Sequence, residues 1–169
     1  MKEYLIIDGY NVINAWSELK ALAEESLEEA RIELVERMAE YQSYKGINII
    51  VVFDAHMVKG TMEKNDAIKG IKVVFTKEKE TADSYIEKFI VQLSKRHRAA
   101  VVTNDWAEQQ VVLGGGATRT SVRELIIDYG TIKQNIQRKT EVLKQEKDSL
   151  SNRIDPLILE KLEKFRRRS

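Results

Sequence analysis

Three aspartates in this chain each follow a run of apolar residues. Asp8 ends the run YLIID, Asp54 ends INIIVVFD, and Asp105 ends AAVVTND. Short apolar runs that stop at polar residues are typical of buried strands in a parallel sheet. The carboxyl ends of parallel strands meet at one edge of the sheet, which is where open α/β sheets bind ligands. The three carboxylates are therefore predicted to share that edge.

A fourth carboxylate, Asp83, lies near the start of a predicted helix that follows the third strand. The predicted site has Asp8, Asp83 and Asp105 at its centre, with Asn11, Asp54 and Glu80 nearby. Clustered carboxylates repel one another unless a cation intervenes, and hard oxygen ligands favour Mg²⁺ or Mn²⁺ over zinc. Such a site activates water for in-line attack at phosphorus. The sequence has no G-x-S-x-G, P-loop, G-x-G-x-x-G or H-E-x-x-H motif that would indicate other chemistry.

Alternating strands and helices must position these acids. Apolar spacing predicts strands at 4–11, 47–54, 71–76, 99–105 and 117–120, and helices at 12–25, 26–45, 81–97, 106–113, 121–150 and from 156 onward. Ser26 with Glu29, and Ser121 with Glu124, form predicted capping boxes, while Gly46 ends the second helix. Residues 55–70 lack a period and are predicted to form a loop. The fold class is therefore α/β, a three-layer sandwich around a mainly parallel sheet with a C-terminal helical extension.

The composition favours one domain in a reducing compartment. The chain has 169 residues, 43% of them hydrophobic, and no cysteine. No apolar run reaches the length of about 20 residues that a membrane span requires. We expect a soluble, cytoplasmic protein with no membrane partner. Residues 131–169 carry 11 Lys or Arg against 6 Asp or Glu, whereas residues 1–130 carry 17 against 21, so an acidic body precedes a basic tail.

Four motifs in order carry a family resemblance: Asp8-Gly-Tyr-Asn11, Phe53-Asp54-Ala55, Glu80-Thr-Ala-Asp83-Ser-Tyr-Ile and Thr103-Asn104-Asp105. Together they resemble the NYN branch of the PIN-like nucleases, most closely its bacterial YacP-type members. The resemblance covers roughly residues 3–130. It implies a PIN-like nuclease domain at 1–130, a charged helical extension at 131–169, a divalent metal (Mg²⁺ or Mn²⁺) and cleavage of RNA.

The YacP-type branch further implies an endoribonuclease that acts on mRNA at the ribosome, without a nucleotide cofactor. Carried over by position, Asp8, Asp83 and Asp105 would be metal-binding catalytic carboxylates. Asn11 and Asp54 would be supporting polar residues, and Glu80 a further supporting residue unless it only favours the start of its helix.

An acidic edge repels phosphate, so RNA affinity is expected to come from cations elsewhere. The predicted RNA-binding residues are Lys59, Lys64, Arg119, Arg123, Arg166, Arg167 and Arg168. Arg166, Arg167 and Arg168 could also be only a solvated helix end.

Two other functions fit the same pattern. A flavodoxin-like phosphotransfer domain also places aspartates at strand ends, but here Gly9 follows Asp8 where a second acid would be expected. A non-catalytic RNA- or ribosome-binding module could keep the fold, although the complete set of acids argues against it. Each aspartate alone could simply cap a helix or turn.

Overall fold

The computed structural model describes residues 1–55, 64–93, 95–105, 109–110, 112, 114–153 and 156–168, with backbone only for 64–67, 151–153, 156–159 and 168. Its sheet has strands β1 (Glu3–Asp8), β2 (Asn48–Phe53), β3 (Lys64–Ile68), β4 (Ile71–Phe75), β5 (Arg98–Val102) and β6 (Thr118–Thr120). The strand order is β3-β4-β2-β1-β5-β6. β1, β2, β4, β5 and β6 run parallel, and β3 is antiparallel to β4 at one edge. The predicted α/β class with a mainly parallel sheet is confirmed.

The structure describes six helices. They are α1 (Gly9–Ala15), α2 (Ser17–Glu25), α3 (Leu27–Lys45), α4 (Ala82–Leu93), α5 (Val122–Arg153) and α6 (Pro156–Arg168). The predicted caps form, because the Glu29 N–H donates to Ser26 Oγ at 3.3 Å and the Glu124 N–H donates to Ser121 Oγ at 3.1 Å. Gly46 ends α3 in the left-handed conformation with φ of 67°.

Strands β1, β2, β4 and β5 are mostly buried on both faces, as continuous apolar runs predict. On one face, Ile6 of β1 and Val74 of β4 pack with Ile86 and Ile90 of α4. Side chains of α3 lie over the other face, next to Phe53 and Val73. This arrangement gives the three predicted layers, and it holds the carboxyl ends of β1, β2 and β5 at one edge.

Two predictions about the elements are wrong. Residues 64–68 do not belong to a loop but form β3, which returns into β4 through Lys69 and Gly70. Both turn residues have positive φ, 52° and 83°, as a two-residue hairpin requires. The predicted helix at 12–25 is two helices that begin earlier, at Gly9, and are separated by the extended residue Trp16.

Parts of other predictions lie outside the described residues. Residues 56–63 of the predicted loop belong to this group, as do 106–108, 111 and 113 of the predicted short helix. No helix in the described part of the chain is both long enough and apolar enough to cross a membrane.

The chain divides into two compact units, Met1–Tyr129 and Gly130–Ser169. The first contains the whole sheet and the start of α5. The second consists of the rest of α5 and α6, and the described side chains of 136–150 and 160–167 are exposed.

A hydrogen bond fixes the start of α5 to α3. The buried Tyr41 hydroxyl donates to the Asp128 carboxylate, whose Oδ2 also lies 3.2 Å from Lys45 Nζ. Burial and this bond to Asp128 raise the pKa of Tyr41 well above its ordinary value. The contact therefore requires the protonated hydroxyl.

Replacing this hydroxyl gives the first prediction. Tyr41→Phe should lower the free energy of unfolding by about 1–2 kcal/mol near neutral pH, because a hydrogen bond to a charged group is lost. The pKa of Tyr41 is higher in the folded protein than its value of 10.0 in the unfolded chain. The protonated hydroxyl therefore stabilises the fold fully below pH 10, and this stabilisation is lost as the pH rises further. Urea titrations of both proteins should therefore show a difference that shrinks above pH 10. A difference that stays constant at alkaline pH would contradict this role for the hydroxyl.

Candidate active site

Asp8 ends the central strand β1 at the point where the sheet topology diverges. β1 pairs with β2 on one side and with β5 on the other. Connections that leave in opposite directions open a crevice at the carboxyl ends of such strands. Asp8 occupies the position before α1, but its carboxylate makes no capping hydrogen bond, so the common structural role of a strand-end aspartate does not apply to it.

Gly9 allows α1 to begin directly after Asp8. A Cβ atom at this position would overlap the ring of Phe53 at the end of β2. The Phe53 ring in turn contacts Tyr10, with 5.1 Å between ring centroids. The close approach explains why glycine separates the central aspartate from the helix.

Asp54 and Asp83 are brought together by the start of α4. The Ala82 N–H lies 3.5 Å from Asp54 Oδ2, so the carboxylate after β2 faces the first turn of α4, which contains Asp83. The fully buried Thr76 fixes this approach, because its Oγ1 accepts from the Ala55 N–H at 3.0 Å and donates to the Glu80 carbonyl at 2.8 Å. Thr81 caps the helix by accepting from the Ser84 N–H at 3.1 Å.

Asp105 is held on the other side of Asp8. The Asn104 N–H donates to Asn11 Oδ1 at 2.7 Å, which ties the end of β5 to the first helix. The Asp105 N–H donates to Oγ1 of the buried Thr103 at 3.0 Å. Asn11 thus acts on the backbone beside Asp105, and its supporting role in the site stays a prediction.

These residues surround one cavity of about 360 Å³. It is lined by Asp8, Tyr10, Asn11, Asn14, Asp54, Thr81, Ala82, Asp83 and Asp105. The four predicted aspartates and Asn11 are therefore on one concave surface. Among the described residues, no three acidic or histidine side chains stand close enough together to hold a metal ion as they are. The carboxylates line the cavity but do not converge on one point within it.

Glu80 does not line the cavity that contains the four aspartates. It lines a separate cleft with Lys77, Tyr85 and Lys88, and its Oε2 is 3.3 Å from Lys88 Nζ. Its other oxygen, Oε1, is buried without a hydrogen-bond partner in the structure. The structure does not bring Glu80 to the cavity with the four aspartates.

Tyr10, which lines the cavity, is in contact with the cation Arg31. Arg31 of α3 donates from Nη1 to the Tyr10 hydroxyl at 3.2 Å. Burial raises the pKa of Tyr10, Arg31 opposes the shift, and the charge of Asp54 adds to it. The hydroxyl therefore stays protonated at physiological pH and links an arginine to the acidic cavity.

The predicted RNA-binding residues are not part of this cavity where the structure describes them. Arg119 and Arg123 are exposed on β6 and α5, and Arg166 and Arg167 are exposed on α6. Lys59 and the side chains of Lys64 and Arg168 lie outside the described residues. Their role in binding RNA stays a prediction.

Four residues that line the cavity were not predicted from the sequence: Tyr10, Asn14, Thr81 and Ala82. A signal was present for Asn14, which follows Asn11 by three positions and so lies on the same side of a helix. Asn14 would have been predicted beside Asn11 if the first helix had been predicted to begin at Gly9 and not at residue 12. Thr81 precedes Asp83 within the motif, and its position as a helix cap indicated that it borders the same edge.

Comparison with known proteins identifies relatives along nearly the whole chain. Residues 5–167 match the model of the YacP-like NYN domain. The uncharacterized protein YacP of Bacillus subtilis strain 168 is 45% identical over 166 residues, which cover 98% of this chain and 97% of the relative. The crystal structure of Rae1 (YacP) from Bacillus subtilis superimposes with a TM-score of 0.74 at 44% identity, covering 97% of this chain and 94% of the other. A crystal structure of a mutant of the same Bacillus subtilis protein gives a TM-score of 0.73 at 44% identity over 83% and 82% of the chains.

Gly9 gives a prediction about how the cavity is built. Gly9→Ala should lower the free energy of unfolding by about 1–3 kcal/mol, because the added methyl group displaces the fully buried Phe53. Gly130→Ala is the matched control, since a Cβ there meets open space within helix α5 and should stabilise by about 0.5–1 kcal/mol. Chemical denaturation of both variants tests this. Equal effects at the two glycines would contradict the proposed close packing.

Proposed function

Because the chain belongs to the YacP-like NYN domain family, we propose that it is a divalent-metal-dependent endoribonuclease that cleaves mRNA in association with the ribosome. Family membership supports a nuclease-type function related to RNA. The observation that carries the finer proposal is the cavity in which Asp8, Asp54, Asp83 and Asp105 meet at the carboxyl edge of the sheet.

The residues of this cavity fit a hard divalent cation. Its acidic and amide side chains offer only oxygen ligands and amide groups, without cysteine or histidine, and such a set suits Mg²⁺ or Mn²⁺. The absence of a ready three-acid cluster in the described residues is compatible with Mg²⁺. This ion keeps several waters and needs only one or two direct carboxylates together with substrate phosphates.

In the proposal, Asp8, Asp83 and Asp105 hold the cation, and Asp54 and Asn11 support them. A bound Mg²⁺ or Mn²⁺ would supply activation of water and neutralisation of charge at the phosphate. Asn11 keeps the backbone beside Asp105 in place through its bond to the Asn104 N–H. Asp54 faces the first turn of α4 and so helps fix Asp83.

Tyr10 and Arg31 add a feature that the acids lack. The arginine is a permanent cation, and its bond to the Tyr10 hydroxyl places it next to a surface of negative charge. Arg31 does not itself line the cavity, so its charge would act on an approaching phosphate through the Tyr10 hydroxyl. We assign the pair a role in orienting the substrate backbone.

The ribosome and the cytoplasm enter the proposal through the family resemblance. An mRNA substrate explains why an acidic body of net charge −4, residues 1–130, is joined to a tail of net charge +5, residues 131–169. Cleavage assays of labelled mRNA, with and without translating ribosomes, test this part of the proposal.

Removal of single carboxylates tests the catalytic assignment. Asp8→Asn and Asp83→Asn should each reduce cleavage of labelled RNA at least about a hundredfold, because electrostatic stabilisation of the transition state is lost. Thermal stability without metal should stay level or rise, since one charge of a repelling group is removed. Asp148→Asn, exposed on α5, is the control and should cleave like wild type. Wild-type cleavage by both site variants would refute the assignment of these two carboxylates to catalysis.

Metal binding has a readout that is independent of activity. Mg²⁺ or Mn²⁺ should raise the melting temperature, and a hundredfold excess over Kd corresponds to about 2.7 kcal/mol of stabilisation. The shift should vanish in the Asp8→Asn/Asp105→Asn double variant, and EDTA should stop cleavage by the wild type. Cleavage that persists in excess EDTA would contradict metal dependence.

A further inference from the structure

Four consecutive basic residues, Lys95, Arg96, His97 and Arg98, interrupt the acidic body of this chain. We call them the basic corner. They connect the end of α4 to the first residue of β5. Residues 1–130 carry a net charge of −4, so this concentration of cations is not explained by the composition around it.

Hydrogen bonds hold the basic corner at the start of the sheet. The backbone N–H groups of Arg96 and His97 both donate to the Leu93 carbonyl, at 3.0 and 2.9 Å. The Arg98 N–H donates to the Lys2 carbonyl at 3.1 Å, and the Lys2 N–H donates to His97 Nδ1 at 3.2 Å. The three cations Lys95, Arg96 and Arg98 therefore belong to a backbone that hydrogen bonds hold beside the start of β1.

The positive charge of the basic corner is largely available to a ligand. The ion pairs of the described residues use Arg37, Lys45, Lys69, Lys88 and Lys164, and none includes a residue of the basic corner. Lys95, Arg96 and Arg98 are exposed. Glu3 lies opposite Arg98 in the strand register and lines the same cavity, so a single carboxylate offsets part of the charge.

A cavity of about 630 Å³ opens between these side chains, within the size range of ligand sites. The basic corner supplies four of its lining residues, and Thr118 adds a hydroxyl. Among the described residues that line it, there is no Tyr, Trp or Phe on which a base could stack. The chemistry therefore suits a phosphate backbone, not a nucleobase.

The cavity lies at the end of the sheet opposite the aspartates. Glu3 starts β1 beside Arg98, and Asp8 ends the same strand. Five strand steps of about 3.3 Å separate the two edges by about 17 Å. An RNA strand that reaches both edges must be longer than the segment that enters the acidic cavity.

We propose that the basic corner is a second RNA site, which binds the phosphodiester backbone of single-stranded RNA away from the cleaved bond and without regard to sequence. The inference rests on the proposed function, because that function supplies a polyanion long enough to span the sheet. Cations after a helix C-terminus also stabilise the helix. The test must therefore measure RNA binding and not melting temperature alone.

The experiment measures binding of fluorescent, unstructured RNA to the full chain by anisotropy, in EDTA so that no cleavage occurs. A short oligonucleotide confined to one edge is compared with a longer one that spans both. Arg96→Glu is compared with Lys20→Glu, which makes the same charge change at an exposed position on α2 that lines neither cavity. A third variant replaces Lys95, Arg96 and Arg98 with Ser.

Arg96→Glu should weaken binding of the longer RNA severalfold, while Lys20→Glu leaves it close to wild type. In the triple variant the slope of log affinity against log salt should flatten by about 2, since each phosphate contact on a single strand contributes about 0.7. Equal losses in Arg96→Glu and Lys20→Glu, or an unchanged slope in the triple variant, would overturn the inference.

Cleavage assays with Mg²⁺ separate this inference from the proposed function. If Arg96→Glu weakens binding but the wild type cleaves no RNA, the second site stands and the nuclease proposal fails. If the triple variant retains wild-type cleavage of long RNA at low and high salt, the nuclease proposal stands and the second site fails.

Discussion

The candidate site depends on the hydrogen bond in which the Asn104 N–H donates to Asn11 Oδ1, because this bond connects the end of β5 to α1, the helix that follows β1. Connections that leave β1 and β5 in opposite directions would otherwise leave backbone donors of the crevice unpaired. Asn11 satisfies one of them and fixes the chain just before Asp105. The Asn104 side chain then accepts from the Val122 N–H at 3.3 Å, so the same loop also sets the start of α5. The acidic cavity and the last helix of the first unit are thereby built on one connection.

The sequence predicted those elements whose physical cause is local or periodic. Buried parallel strands are apolar throughout, so β1, β2, β4 and β5 were evident, and Ser26 and Gly46 bound α3 because caps act within one turn. The edge strand β3 had no such signal. Its sequence KNDAI is polar, and it is held by pairing with β4 and by a turn at Lys69 and Gly70. Pairing between strands is a tertiary interaction that a period in one segment does not encode.

The site was predictable to the extent that topology alone assembles it. Asp8, Asp54 and Asp105 follow parallel strands, so the sheet must bring them to one edge, and the structure places them with Asp83 around one cavity. The position of Glu80 could not be predicted in this way. Thr76 binds its backbone carbonyl and Lys88 binds its carboxylate, which takes the side chain into a neighbouring cleft. Tyr10 and Arg31 meet across 21 residues of sequence, and no spacing rule predicts such a contact.

The distribution of charge separates recognition from chemistry. Acids grouped around a cavity can stabilise a transition state only together with positive charge, and by themselves they repel the phosphates of a substrate. In the proposed second RNA site, cations a strand length away would contact the RNA equally in the ground state and the transition state, and so would contribute affinity without changing the chemical step. Arg31 differs from them because it contacts Tyr10, a residue that lines the acidic cavity. The two proposals therefore divide the positive charge between remote residues that would retain the RNA and Arg31, which would help to align it through Tyr10.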